Sequence, residues 1–384
     1  MYSTQRRSAP CLVLIVFGLF ISGASHAMSI LDGQLPLQNP WKERFQDVTK
    51  LNDFAKTHPV EITNAKIENE NIDGAILNGG KFENSNWKKV SAKNASLAKV
   101  VFSKGIIEDV DFSDSILTDV VFEDINLRGL RFFRATLHNV KFIRCTFNGI
   151  NLDQTKNSQI EVNDSKAIST SFSEGQLIAV FRNSKLYDGV ELTDLQPPSS
   201  LTFEKSELIQ VNLERSKLQS LIIEDTKFDA VLDAGSAESV TIRNSSVDTS
   251  FSAATIGTLS MINTSVTKLS FNKAKAKSLV FKNCPKLVDF VMYGTTIDTL
   301  EIDHTQVSDF YPAVSNIGVL QVVNSTITKA GFERFKAKSL IFNNVTLDGK
   351  IDFTGAHVDK LETHNITKQP GLNLITTGSN VHLE

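Results

Sequence analysis

Three cysteines, two tryptophans, four tyrosines and seven histidines are spread over 384 residues. So little cysteine excludes a disulfide scaffold. Beyond position 27 only Cys145 and Cys284 remain, far apart in the chain. Histidine and cysteine nowhere take a zinc-ligand spacing, and there is neither a Ser/His/Asp signature nor a glycine-rich phosphate loop. Charge of one sign is also scarce. The net value is −3, and the opening segment up to Ala27 holds two arginines and no acid, which leaves −5 for the rest. That balance gives no general case for nucleic-acid binding. After that segment no apolar run approaches the roughly 20 residues of a membrane span.

The opening segment reads as a secretory signal peptide over residues 1–27. Arg6 and Arg7 supply the positive region, Cys11 to Ile21 the apolar run, and Ala27 the residue before cleavage. We therefore expect an exported protein, periplasmic or extracellular, with no membrane-spanning segment in the mature chain. Aromatic usage is skewed towards Phe, with 25 against 4 Tyr and 2 Trp. Phe has no polar group to satisfy, so the excess implies a long dry interior.

The interior has a beat. From Ile67 to Leu177, counting every fifth residue, 22 of 23 positions are apolar, and Asn157 is the exception. Chance at this composition would give about nine or ten. A five-residue period fits neither a helix nor a flat strand. A second inward residue, small or β-branched, usually precedes the apolar centre by two: Ala65, Ala75, Gly80, Ser85, Val90, Ala95, Val100 and onward to Cys145. The unit stands clearly in Ala75-Ile76-Leu77-Asn78-Gly79, Val110-Asp111-Phe112-Ser113-Asp114 and Ile125-Asn126-Leu127-Arg128-Gly129. It resembles the pentapeptide-repeat family, whose unit is Ala-(Asp/Asn)-Leu-x-x. The resemblance implies an all-β fold, a right-handed quadrilateral parallel β-helix with one pentapeptide per side and four sides per coil.

The second half keeps the coil while the strict pentapeptide fades. An apolar–x–polar–small segment recurs from Val162-Asn163-Asp164-Ser165 to Phe342-Asn343-Asn344-Val345, with steps of 19, 22, 20, 19, 19, 20, 21, 20 and 20 residues. A period near 20 marks a solenoid. The step of 22 contains Pro197 and Pro198 and reads as a loop bulging from one corner. We thus expect a regular β-helix over 62–177, a degenerate continuation over 178–365, about 15 coils in all, and a cap or tail over 366–384. Residues 28–61 hold an N-terminal segment. Asn39 as N-cap, Pro40 as first-turn residue and Trp41, Phe45, Val48 and Ala55 at helical spacing predict one capping helix over 40–57. Cys145 and Cys284 would lie about seven coils, roughly 33 Å, apart along the axis. That is too far for a bridge, so both read as buried packing residues.

Positions 20 apart should stack. Lys104, Asp124 and Arg144 form one expected column and Asn94, Asp114 and Arg134 another, both alternating charge across coils. No isolated acidic column of the glycan-cleaving kind stands out. His357, Asp359, Glu362 and His364 are close in sequence without a recognised ligand spacing, so no metal, cofactor or catalytic residue is expected. Seven Asn-x-Ser/Thr sequons occur, at Asn94, Asn163, Asn244, Asn263, Asn324, Asn344 and Asn365. Six of them read as corner chemistry. The sharper signal is basic: Lys273, Lys275 and Lys277 before Ser278-Leu279, and Arg334, Lys336 and Lys338 before Ser339-Leu340. These corners should face the same side, roughly 14 Å apart, with Lys268, Lys282 and Lys286 nearby.

Such a chain is expected to be a non-enzymatic interaction or scaffold protein that presents β-helix faces to a protein or to an anionic glycan or lipid surface. A polysaccharide-binding or polysaccharide-processing β-helix is the first alternative, and a secreted host-directed factor the second. Homodimerisation stays open. Some pentapeptide-repeat proteins mimic DNA and protect gyrase, but that role needs a cytosolic, strongly acidic molecule, and no nucleic-acid partner is expected here.

Overall fold

A five-residue side cannot hydrogen-bond to itself, so it must find its backbone partners on the next coil. In the computed structural model, which describes residues 40–383, the chain does this as a parallel β-solenoid of about 16 turns. The signal segment over 1–27 and the N-cap Asn39 lie outside the described residues. All strand pairings are parallel and join consecutive coils. Val60 faces Gly80 and Gly80 faces Val100. The same column then runs Val140, Ile160, Ala179, Leu201 and Leu221. It ends on Leu320, Leu340 and Leu361. That is one coil more than the sequence spacing suggests, because the winding runs past residue 365, where Asn373–Ile375 pairs with Lys350–Asp352.

All 22 apolar positions of the beat are buried, whereas Asn157 is exposed. At Asn157 the backbone takes φ 48°, and Ser158, 1% exposed, turns inward instead. In-register stacking makes columns of like residues. Phe82, Phe102, Phe122 and Phe142 stack face to face with centroids 5.0 Å apart, the height of a coil. Phe251 and Phe271, and Phe290 and Phe310, repeat this at 5.1 Å. The parallel ring arrangement is set by the backbone pitch.

The five-residue step does not stop at Leu177. Inward pairs continue at Leu221/Ile223, Val240/Ile242, Leu259/Met261, Leu279/Phe281, Leu300/Ile302, Leu320/Val322 and Leu340/Phe342, with further pairs between them. What changes is phase. A four-residue side from Phe228 to Leu232 shortens one coil, and a six-residue side from Phe281 to Leu287 lengthens another. These slips move the beat off its count without breaking the solenoid.

Corners need a left-handed residue. Two of the four corner columns supply one in nearly every coil, from Asn64 to Asn365 in one and from Gly74 to Gly378 in the other. Asn and Asp dominate the first of these columns because their short polar side chains tolerate positive φ, whereas the second mixes Gly, Ala, Arg and others. Six of the seven sequon asparagines are such residues; Asn163 sits in a strand and its neighbour Asp164 turns the corner. Just past the corner a buried hydroxyl satisfies the amide one coil below. Cys145, Ser165, Ser184, Ser206 and Thr226 each donate their N–H to the next coil's hydroxyl at 2.9–3.2 Å. Cys284 and Thr305 repeat the pattern further on. The two cysteines occupy this column as free, buried thiols. Burial pushes the Cys145 thiol up to about 12.

The expected single helix over 40–57 is two short ones, α1 (Pro40–Phe45) and α2 (Val48–Ala55). Asp47 divides them: its carboxylate accepts from the Thr49 and Lys50 amides as an N-cap, a role Asp fills better than a mid-helix position. Phe45, Leu51 and Ala55 are buried against the first coils, with Phe45 edge-on to Trp87. Asn52 in α2 bonds both the Gly74 carbonyl and the Ile76 amide. At the other end Asn380 pairs with both backbone groups of Val358, and Val381 and Leu383 are buried.

Two outcomes follow. Phe122→Ala removes a ring stacked on both sides and should cost about 3–5 kcal/mol in equilibrium urea unfolding; a cost below about 1 kcal/mol would contradict the stacked column. Cys145 and Cys284 should ignore a water-soluble thiol reagent in the native protein and react after denaturation.

Candidate functional site

The two ends of the solenoid differ at one corner. In the first coils Gly79, Lys99, Asp119 and Asn139 take positive φ there; Ile76–Glu83 and Ser96–Glu108 still run through the bend as strands, and at Asp119 and Asn139 the strand breaks into two sides. From Lys217 onward the equivalent positions are not left-handed, and the two sides fuse into single eight-residue strands. These are Lys217–Glu224, Ser236–Arg243, Thr255–Ile262, Lys275–Lys282, Thr296–Asp303 and Asn316–Val323. The longer Lys336–Leu347 and His357–Lys368 follow. Sequence explains the change: β-favouring Ser, Thr and Val replace Gly, Asp and Asn at the bend. Each strand keeps one residue out of register where the corner was, since Leu218 faces Ala237 and Ser220 faces Ser239 while Gln219 and Glu238 fall outside that register. At Gly257 and Gly318 a Cβ would run into the carbonyl oxygens of Glu238 and Asp298, so only glycine fits. The product is a broad face of eight stacked strands, each about 26 Å along its contour, which still turns where two successive residues such as Gln219 and Ser220 point outward.

The six sequence-predicted cations border this face. Lys275 and Lys336 lie in one column, joined by Thr296 and Asn316 on the two coils between. That separation is three coils, roughly 14 Å. Lys273 and Arg334 occupy left-handed corners beside them. All six, Lys277 and Lys338 included, are exposed and make no ion pair among the described residues. At the far end of the same strands Lys282 does pair, with Glu301 at 2.9 Å, and elsewhere Lys329 pairs with Asp309 at 2.6 Å. Between the two basic clusters stand residues that sequence reasoning missed: Tyr293, 49% exposed, and Val314, 37% exposed. Val314 holds φ 59°, which a β-branched residue adopts only under strain. Asp298 lies on the coil after Lys277.

A groove of about 450 Å³ opens lower on the same face, lined by Pro197, Pro198, Lys217, Gln219, Ser236, Glu238 and Thr255. The Pro197–Pro198 loop forms its wall, and the short side chains of the column make its depth.

The charge ladders sit elsewhere. Arg134 grips Asp114 with two hydrogen bonds of 2.7 and 2.8 Å, and Arg144 grips Asp124 with two of 2.7 and 2.9 Å. These forks hold both carboxyls below the ordinary aspartate value. Lys104 stands in the same corner column as Asp124 and Arg144, but its ammonium turns to Glu83 at 3.2 Å while Arg144 fills both Asp124 carboxylate oxygens. His304 bonds Asp303 at 2.7 Å and His357 reaches Asp359 at 3.4 Å. Among the described residues no three metal-ligating side chains stand together.

The repeating side, its left-handed corner and its inward pair are the geometry of one sequence family, and eight copies of the pentapeptide repeat match residues 115–155. Residues 115–155 are thus pentapeptide repeats, and the chain takes the pentapeptide-repeat fold. Its structure is similar to QnrB1, a plasmid-mediated fluoroquinolone resistance protein, at 17% identity and a TM-score of 0.27, covering 39% of this chain and 74% of that one. It is similar also to HetL of the cyanobacterium Nostoc sp. strain PCC 7120, a pentapeptide-repeat protein involved in heterocyst differentiation regulation. There the identity is 15%, the TM-score 0.24 and the coverage 51% and 84%. The catalytic domain of a GH87 α-1,3-glucanase matches at 9% identity and a TM-score of 0.25, over 93% of this chain and 69% of that one. Likenesses this low carry no argument about what this chain does. No curated protein matches the chain.

The Arg144–Asp124 fork has a pH consequence. A carboxyl depressed in the folded state contributes stability that is present above the ordinary aspartate pKa and is lost as pH falls through the folded value. Arg144→Asn keeps a residue that tolerates the left-handed corner and should move the Asp124 titration back up towards the ordinary value. Carboxyl-carbon NMR reads this directly, and an unmoved Asp124 titration would contradict the fork.

Proposed function

We propose that this pentapeptide-repeat chain is an exported, non-enzymatic interaction protein that docks an anionic partner on its broad face. One observation carries the reading: among the described residues the six cations at one edge of that face stay exposed and unpaired, while Lys282 at its other edge and Arg134, Arg144 and Lys329 elsewhere on the solenoid each hold a carboxylate. Unpaired cations gathered along one edge attract an anion without a pocket. The charge pattern and apolar run of residues 1–27 support export. A rigid solenoid suits this role, since its faces are pre-formed and binding orders little.

The face is tested on a carboxylated cation-exchange resin. Lys275→Glu combined with Lys336→Glu should elute at clearly lower salt than the parent protein. Lys89→Glu combined with Lys99→Glu, the same charge change on the opposite half, should elute close to the parent. Equal shifts in the two pairs would defeat the reading. Export is tested separately, by N-terminal sequencing of protein recovered outside the cytosol, which should begin at Met28.

A further inference from the structure

The broad face carries a longer charge pattern than the six cations alone. Along the parallel register Lys217 faces Ser236, Ser236 faces Thr255, and Thr255 faces Lys275. Lys275 then faces Thr296, Thr296 faces Asn316, and Asn316 faces Lys336. A lysine therefore returns every third coil, roughly 14 Å on, and the four positions between hold short hydroxyl or amide side chains. The adjoining corner column repeats the interval. Arg215, Lys273 and Arg334 turn left-handed corners three coils apart, and Ala234, Ala253, Gly294 and Val314 turn the corners between them. Paired cations thus recur along a track whose intervening residues are all short. Arg215 is bound to Asp194 at 2.7 Å and Glu214 at 3.4 Å. Lys217, like the four cations above it, is exposed and makes no ion pair among the described residues. The Pro197–Pro198 loop closes the lower end.

We propose that this track binds a linear 1,4-linked polyuronate lying parallel to the solenoid axis, an inference that rests on the docking role proposed above. Pitch is the first selector. Each sugar advances such a chain by about one coil height, so sugars and coils stay in step. An extended peptide advances only about 3.3 Å per residue and drifts out of step. The second selector is symmetry. A polyuronate with a threefold screw turns the same carboxylate towards the surface at every third sugar, which is the interval of the cation pairs. Lys and Arg side by side suit a carboxylate at each of those points. At the coils between, sugar hydroxyls meet Ser236 and Thr255, then Thr296 and Asn316. Glu238 and Asp298 edge the track at coils without a cation pair, so a chain with a carboxylate at every coil is repelled there. Tyr293, exposed between the Lys273 and Arg334 corners, offers an apolar ring face to a sugar's C–H surface.

The test is calorimetric titration of the full chain with galacturonate oligomers. A chain of about seven sugars reaches all three cation pairs and should bind at least about tenfold tighter than one of about three sugars. Lys275→Glu, at an exposed position, should weaken the longer chain about tenfold or more with an unchanged circular dichroism spectrum, and Lys99→Glu should not. A neutral glucan of the same length should not bind. Equal affinity for the short and long oligomers would overturn the track. Equal affinity for polyglutamate of matched charge would overturn the glycan and leave the anionic docking face standing. Binding of neither polymer would overturn both.

Discussion

The parallel hydrogen-bond ladder between coils fixes everything else in this molecule. It sets one axial distance for every residue, inside and out, and places each side chain directly above its counterpart in the coil below. Inside, that forces like to stack on like, as in the run from Phe82 to Phe142. At two of the corners it demands a left-handed residue every coil, and along the column from Asn64 to Asn365 Asn or Asp fills most of them. Beside one corner it leaves an amide that only a partner on the next coil can reach, and the buried Ser and Thr column supplies it. Hydrophobic burial stabilises the rod; the ladder decides which residues share a column.

Most of the interior was legible in the sequence because the inward residue type repeats. The beat from Ile67, the recurring coil length and the separation of Cys145 from Cys284 are all statements about one column read along the chain. The beat beyond Leu177 was harder to see, because four- and six-residue sides shift its phase and because Ser, Thr and Ala share the inward positions with Leu and Phe. The division at Asp47 and the partner of Lys104 depend on local competition for hydrogen bonds. Asp47 can cap α2, and Arg144 saturates Asp124; spacing alone contains neither fact.

The surface was legible only in part. Lys273, Lys275 and Lys277 announce themselves as a run, and so do Arg334, Lys336 and Lys338. Arg215 and Lys217 belong to the same columns but stand in a mixed stretch, and the slips make the intervals between column members unequal along the chain. The stretch from Lys217 to Lys275 is slightly shorter than the one from Lys275 to Lys336. In space the two intervals are equal, three coils each. Tyr293 and Val314 left no signal at all, since each is a single residue whose meaning comes from what lies one coil above and below.

The flattened corner has a consequence for how such a surface changes over time. Backbone pitch, not side-chain packing, graduates the broad face, as the marks on a ruler are independent of what is measured. Outward residues on it carry no duty to the core. A substitution at Thr255 or Asn316 can therefore rewrite which graduations are charged while the scale itself stays put. The four-cornered half, with its demanding turns, offers far less freedom of this kind. One end of the rod is free to be re-inscribed while the other keeps the scale straight.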